Sequence, residues 1–460
     1  MDKTKKMTEG SIPRLLLKFS LPAIVGMAVH ALYNVVDSIF VGRGVGALAI
    51  AGITVSFPIV IILMAFVMLV GMGATTLISI RLGQKKESEA EEIVGNALGL
   101  FLLIGVSLTV LGLIFIKPLL VTFGASKNVL PYATDYMRII LLGSTLMAIG
   151  VGMNNFIRAE GNPRIAMYTM LIGAVTNIVL DYIFIFIFQW GIKGAAFATV
   201  LSYAVTSTWV LYYFLAGNSL IKIRRKNLRP KRFIIKGIVL VGFPTFAMQI
   251  TNSVQNLILN RSLVYYGGDI ALAAVGIIMS IATFLVMPVM GTSQGAQPII
   301  GFNYGAEKLD RVKSTLKLAI TAATGFLFVG FVVSMLWPSQ LMGLFNKNTQ
   351  LIELGANAIR IFFMFLPLVG LQLIGAGYFQ AVGKPVQATL LSLSRQVIIF
   401  IPLLIVLPFF WGLDGIWWAG ALSDVSAFLL TGIWLWFEMR QLKKEEAAVV
   451  TGEELLTVVP

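Results

Sequence analysis

LPAIVGMAVHALYNVVDSIFVGR, residues 21–43, is an apolar run long enough to cross a bilayer, for which about 20 residues at roughly 1.5 Å rise suffice. It nevertheless carries His30, Asn34 and Asp37. Spaced i, i+4 and i+7, the three share one helical face. A carboxylate at membrane depth costs about 2.5–3.5 kcal/mol on insertion scales, and those that persist face a bundle interior or an ion or substrate path. Asp37 is the first residue that any reading of this chain has to explain.

Composition sets the class. Of the 460 residues 58% are hydrophobic and only 12% charged, with a mean hydropathy of +0.88, against roughly 25% charged residues in a soluble domain. A transmembrane barrel would show short alternating segments, whereas these apolar runs are long and continuous. The expectation is an all-α polytopic membrane protein. The absence of cysteine excludes disulfides and thiol chemistry. A basic tail (Lys3, Lys5, Lys6, Arg14, Lys18) leads directly into the first span, so no cleavable signal peptide is expected.

Twelve spans are readable, at 15–41, 49–72, 94–116, 133–156, 165–188, 194–215, 237–262, 271–299, 314–337, 355–380, 386–409 and 414–438. With both termini inside, 26 of the 35 basic residues fall on cytoplasmic segments, among them Arg158, Arg164 and the run Lys222–Lys236. The positive-inside rule then accounts for the net charge of +14 without a nucleic-acid partner.

The basic connection 218–236 divides the chain into an N-lobe (1–217) and a C-lobe (237–440), followed by a tail (441–460). The lobes repeat at an offset near 222. Pro22 and Asn34 fall on Pro244 and Asn256, GATTLISIRLG from Gly73 on GAQPIIGFNYG from Gly295, and RAEGNP from Arg158 on QAVGKP from Gln380. GIKGAAFATVLS from Gly191 falls on GLDGIWWAGALS from Gly412. Six spans per half makes the repeat parallel, a pseudo-two-fold along the membrane normal that suits rocking about a central site.

Three segments carry a family likeness: SLPAIVGMAVHALYNVVDSIFVG from Ser20, NNFIRAEGNPRIAM from Asn154 and TNIVLDYIFIF from Thr176. They resemble the multidrug and toxic compound extrusion (MATE) family, in the bacterial and archaeal branch related to DNA-damage-inducible protein F. The resemblance covers about 18–440. It implies twelve helices in a V-shaped pair of lobes that exports organic cations against sodium ions or protons. It further implies that Asp37 and Asp181 form the coupling-ion site, with Asn154, Asn177 and Thr199 adding polar groups, and that Pro22 marks a bend in the first helix.

Depth along the spans supports part of this independently. Asp37, Asp181 and Thr199 all fall in the outer half of their spans, and Asn177 precedes Asp181 by one turn. Two carboxylates with amide and hydroxyl oxygens at one depth suit Na+ or a shared proton. A structural reading competes with this, in which Arg138 pairs with one of the acids. His30 is either a proton relay or a packed histidine, and is left out of the site.

The C-lobe has Leu259 and Leu403 where the repeat would put Asp37 and Asp181, so the ion site is not duplicated. Arg395 and Asp424 both lie near mid-membrane and are expected to pair, either as a lock or as part of a substrate or second ion site. Asn34, Tyr136, Asn256, Gln294, Arg395 and Asp424 are the candidate substrate-cavity residues. No Walker motif is present.

The chain is thus expected to be no enzyme and to need no cofactor beyond its coupling ion. It reads as a monomeric rocker-switch exporter of small organic cations in a prokaryotic plasma membrane. The alternative is a lipid-linked sugar flippase, which would need a cationic cavity.

Overall fold

The computed structural model describes residues 7–217 and 219–451, with Ala47, Asp269 and residues 443–451 as backbone alone. Lys3, Lys5, Lys6 and the tail beyond 451 lie outside the described residues. Those described form helices, with no strand among them. The helices are α1 Ile12–Gly44, α2 Ala47–Gly83, α3 Glu87–Thr122, α4 Leu130–Leu142, α5 Ser144–Ala159, α6 Pro163–Ile187, α7 Gly191–Leu215, α8 Arg232–Gly268, α9 Ile270–Gly305, α10 Leu309–Leu336, α11 Pro338–Gly343, α12 Thr349–Phe362, α13 Leu366–Ala381, α14 Pro385–Trp411 and α15 Leu413–Thr451.

Ten of them are individually long and apolar enough to cross a membrane. Two bent pairs, α4 with α5 (55°) and α12 with α13 (53°), complete twelve spans. The sequence reading had continuous helices at both places. The bends fall at Gly143 and at residues 363–365, just before Pro367, where the chain cannot continue an α-helical ladder unbroken. The two breaks are equivalent in the repeat.

The repeat is written into the backbone as well. Positive φ occurs at Gly46 and Gly268, Lys85 and Glu307, Gly161 and Gly383, and Gly191 and Gly412. Each pair is separated by 221 or 222 residues. Gly46 (φ 112°) and Gly268 (φ 63°) separate the first two helices of each lobe, a conformation that a residue with a Cβ adopts only with strain.

The lobes meet at the end that carries the basic loops. There α2 crosses α8 and α9 so closely that backbone touches backbone. A methyl group on Gly83 would strike the Phe302 carbonyl, and one on Gly305 the Ile80 carbonyl, the same contact repeated at offset 222. Gly73 and Gly242 are likewise seated on Ile238 and Leu69, and Gly295 on Ser20. Small residues permit this approach, which membrane helices use because burying apolar side chains against one another gains little over lipid.

Cross-lobe straps reinforce the seam. The 219–236 segment, whose last residues already belong to α8, is fastened to α3 by Arg224–Glu91 (2.8 Å), Lys231–Glu92 (2.7 Å) and the Lys231 amide on Asn96 Oδ1 (2.7 Å). In the other direction, Asn303, Lys308 and Arg311 donate to the carbonyls of Met7, Thr8 and Gly10 at the N-terminus. Each lobe's lead-in segment is therefore held by the opposite lobe.

Within the C-lobe, Glu438 is buried and takes both Lys384 Nζ (2.6 Å) and the Tyr378 hydroxyl (3.1 Å). Lys384→Met, which strands that carboxylate, should cost about 3 kcal/mol, and Lys384→Arg much less. The check is thermal unfolding in detergent. Equal transitions for Lys384→Met and the parent would show that this ion pair contributes nothing.

Candidate ion-coupling site

Four N-lobe helices converge on one cluster. The first, α1, brings Tyr33 and Asp37 one turn apart, and α4 brings Tyr136. From α6 come Asn177 and Asp181, also one turn apart, and from α7 come Thr199 and Tyr203. Asn162 and Pro163 start α6, and the helix passes into a π-helical turn at Ile183–Ile187 directly after Asp181, a distortion frequent at functional sites.

Asp181 is fully buried and Asn177 is 2% exposed. The Asp37 and Asp181 carboxyls lie within hydrogen-bonding reach of one another. Both are acceptors when ionised, so the contact becomes a bond only when one proton or one cation is shared. Asp37 Oδ1 and both Asp181 oxygens meet no donor.

Thr199 and Asn177 are oriented toward the same task. The Thr199 hydroxyl donates to the Ala195 carbonyl (3.0 Å) and accepts from Asn177 Nδ2 (3.4 Å), leaving Asn177 Oδ1 as a buried acceptor with no donor. Asn154 Oδ1, on α5, is in the same state, and no bond joins Asn154 to either aspartate. The cluster is thus rich in unsatisfied oxygen. Its donors are oxygens alone, the ligand type that hard cations take.

The competing structural reading needed Arg138, which is exposed and bonds to neither acid. Among the described residues no base pairs with either acid.

Sequence reasoning missed Tyr33 and Tyr203, which lie in electrostatic range of the acids together with Tyr136. The available signal was spacing, since Tyr33 precedes Asp37 by four and Tyr203 follows Thr199 by four. Tyr136, placed in the substrate cavity from sequence, belongs with the acids. His30 is exposed and packs edge-on to Tyr33 at 4.8 Å between ring centroids.

The remaining cavity candidates divide. Asn34 and Asn256 occupy equivalent positions on α1 and α8 and both are exposed; amides at that depth are cheaper facing a cleft between lobes than facing lipid. Gln294 instead lies in the seam, where its Oε1 accepts from Arg158. This corrects the reading of Arg158 as a surface base. It is buried, bonded to Asn155 Oδ1 (2.6 Å) and Gln294, and bridges the lobes. Pro22 is buried where α1 packs on α9, between the Ser20–Gly295 and Ile24–Gly291 contacts. Arg395 Nε donates to Asp424 Oδ1 at 2.7 Å, the pairing that two opposite charges at mid-membrane require.

The MatE family model matches this chain twice, at residues 22–183 and 244–406. The two matches start 222 residues apart, on Pro22 and Pro244, and each covers most of one lobe. The chain belongs to the MATE family. It is a membrane transporter and not an enzyme.

The multidrug export protein MepA of Staphylococcus haemolyticus is 30% identical over 422 residues, covering 92% of this MATE chain and 93% of the relative. A MATE crystal structure in the bent conformation has TM-score 0.92 at 26% identity, covering 97% of this chain and all of the other. An outward-facing MATE transporter of the MOP superfamily has TM-score 0.89, also at 26% identity, over 95% of this chain and 98% of that one. This MATE chain shares their V-shaped, multi-pass architecture, and its place is the plasma membrane.

Proposed function

We propose that this MATE chain is a multidrug exporter that moves organic cations out of the cell in exchange for sodium ions or protons, coupled through Asp37 and Asp181. One observation carries the reading: two adjoining carboxyls, one fully buried, with no base paired to either among the described residues. Such a pair holds one positive charge far better than none or two. Na+ or H+ supplies it in one stage of the cycle, and the pair is re-ionised when that charge leaves. Asn177, Thr199 and Asn154 supply the neutral oxygens around the ion.

Exchange requires the bound ion to prefer one arrangement of the lobes over the other. The seam is closed at the basic end, which by the positive-inside rule faces the cytoplasm along with both termini. The cleft lined by Asn34 and Asn256 then opens outward, and rocking about the glycine seam exposes it inward. Bending of α1 at Pro22 would move Asp37 relative to α6. The protein works as a monomer, because each chain carries both lobes. The acidic N-lobe is the reverse of what a pyrophosphate-lipid flippase would present. MepA, a multidrug export protein by name, supports the same substrate class.

The test is efflux of a fluorescent lipophilic cation from proteoliposomes under a sodium gradient or a pH gradient, imposed separately. One gradient should drive efflux and the other should not. Dye retention under both would overturn the reading.

A further inference from the structure

The C-lobe keeps a polar centre that ion coupling does not use. Arg395 sits in the π-helical turn Ser394–Phe400 of α14, about ten residues or roughly 15 Å from its basic end. Its Nε is held by Asp424, and no acceptor among the described residues meets its terminal nitrogens. The Asp424 side chain is 8% exposed, that of Arg395 29%. A guanidinium open to lipid at this depth is too costly, so its open edge faces the cleft.

The surroundings agree. The next residue, Gln396, donates to Asn252 Oδ1 at 2.7 Å, and Asn252 lies one turn before the exposed Asn256 on α8. In the repeat, Asp424 stands where the N-lobe has Tyr203, and Gln255 where it has Tyr33. Both tyrosines flank the acid pair. Asp424 therefore occupies the place of a residue that flanks the N-lobe acids, while Arg395, which falls on Gly173, sits about two turns nearer the basic end than Leu403, the counterpart of Asp181.

We propose that Arg395 is a specificity residue that receives an anionic group of the substrate, a carboxylate or its planar equivalent, so that amphoteric as well as cationic molecules are exported. The proposal rests on the exporter reading. Asp424 acts as a positioning residue: by holding Nε it turns the two terminal nitrogens outward as a fork suited to carboxylate oxygens. Because the pair is neutral overall, recognition is geometric, and it leaves a cation free to enter the same cleft.

The experiment uses two xanthene dyes of one skeleton, the amphoteric free acid and its cationic methyl ester, in proteoliposomes holding the full chain. The variants are Arg395→Gln, Arg395→Lys and the charge-balanced double Arg395→Gln with Asp424→Asn, which guards against a stranded acid. Both Gln variants should raise KM for the free acid by about tenfold or more, the scale of one lost charge-assisted hydrogen bond, and leave the ester unchanged; Lys should fall between. Equal losses for both dyes in the double variant, no loss for either, or a parent that exports only the ester would each overturn the proposal. A parent that exports neither dye would overturn the exporter reading itself.

Discussion

Asp181→Asn should lower gradient-driven efflux by roughly two orders of magnitude, the upper end of measured couplings between sites, while the protein folds at least as well as the parent. Asp181 is fully buried beside Asp37, and among the described residues neither acid has a base. An amide is nearly isosteric with the carboxylate and supplies the donor that the parent's oxygens lack. It satisfies the site permanently, so a cation need no longer enter and leave. Asp37→Asn should do the same, and the double variant should be no worse than either alone, because the two carboxyls act as one unit. Transport rates and thermal unfolding of the three variants check this. Additive losses, or unfolding at lower temperature in all three, would mean that the acids are structural.

The second large effect is expected at the seam. Gly83→Val and Gly305→Val each drive a branched side chain into the opposite lobe's backbone carbonyl, at Phe302 and Ile80. Rotamer changes do not relieve a clash with backbone, so the lobes must separate at the basic end, at a cost of about 1–3 kcal/mol. Transport should stop in both variants with the acid pair untouched. Because the chain lacks cysteine, a single reporter is unambiguous. Cysteine in place of Ser20, buried against Gly295, should resist maleimide in the parent and react rapidly in both variants. Gly325, with nothing within 4 Å of a new Cβ, is the control, and Gly325→Ala should change neither transport nor labelling. Slow labelling in the valine variants would show that the seam tolerates bulk and does not set the closed state.

What the sequence disclosed follows from how each feature is encoded. Asp37 and Asp181 stood out because a charge inside an apolar run has few explanations. The repeat stood out because Pro22 and Pro244, or RAEGNP and QAVGKP, are local strings. Arg158 was misread because its position near a basic loop fitted topology equally well, and only the crossing of α5 with α9 buries it against Gln294. Tyr33 and Tyr203 were passed over since aromatic residues are ordinary in membrane helices, and nothing local ties them to an acid on another helix. The bends at Gly143 and before Pro367 interrupt segments whose hydropathy is continuous, so apolar pattern alone merges each pair into one span.

Exchange of a cation for substrate at the N-lobe acid pair is what would drive export. The most direct measurement is the ion itself: dye-loaded proteoliposomes with no imposed ion gradient, monitored for Na+ or H+ movement as the dye leaves down its own gradient. The parent should move one of these ions inward in fixed proportion to dye efflux, and Asp181→Asn should break that proportion. Dye efflux with no counter-movement of either ion, or counter-movement that persists unchanged in Asp181→Asn, would rule out exchange at the acid pair.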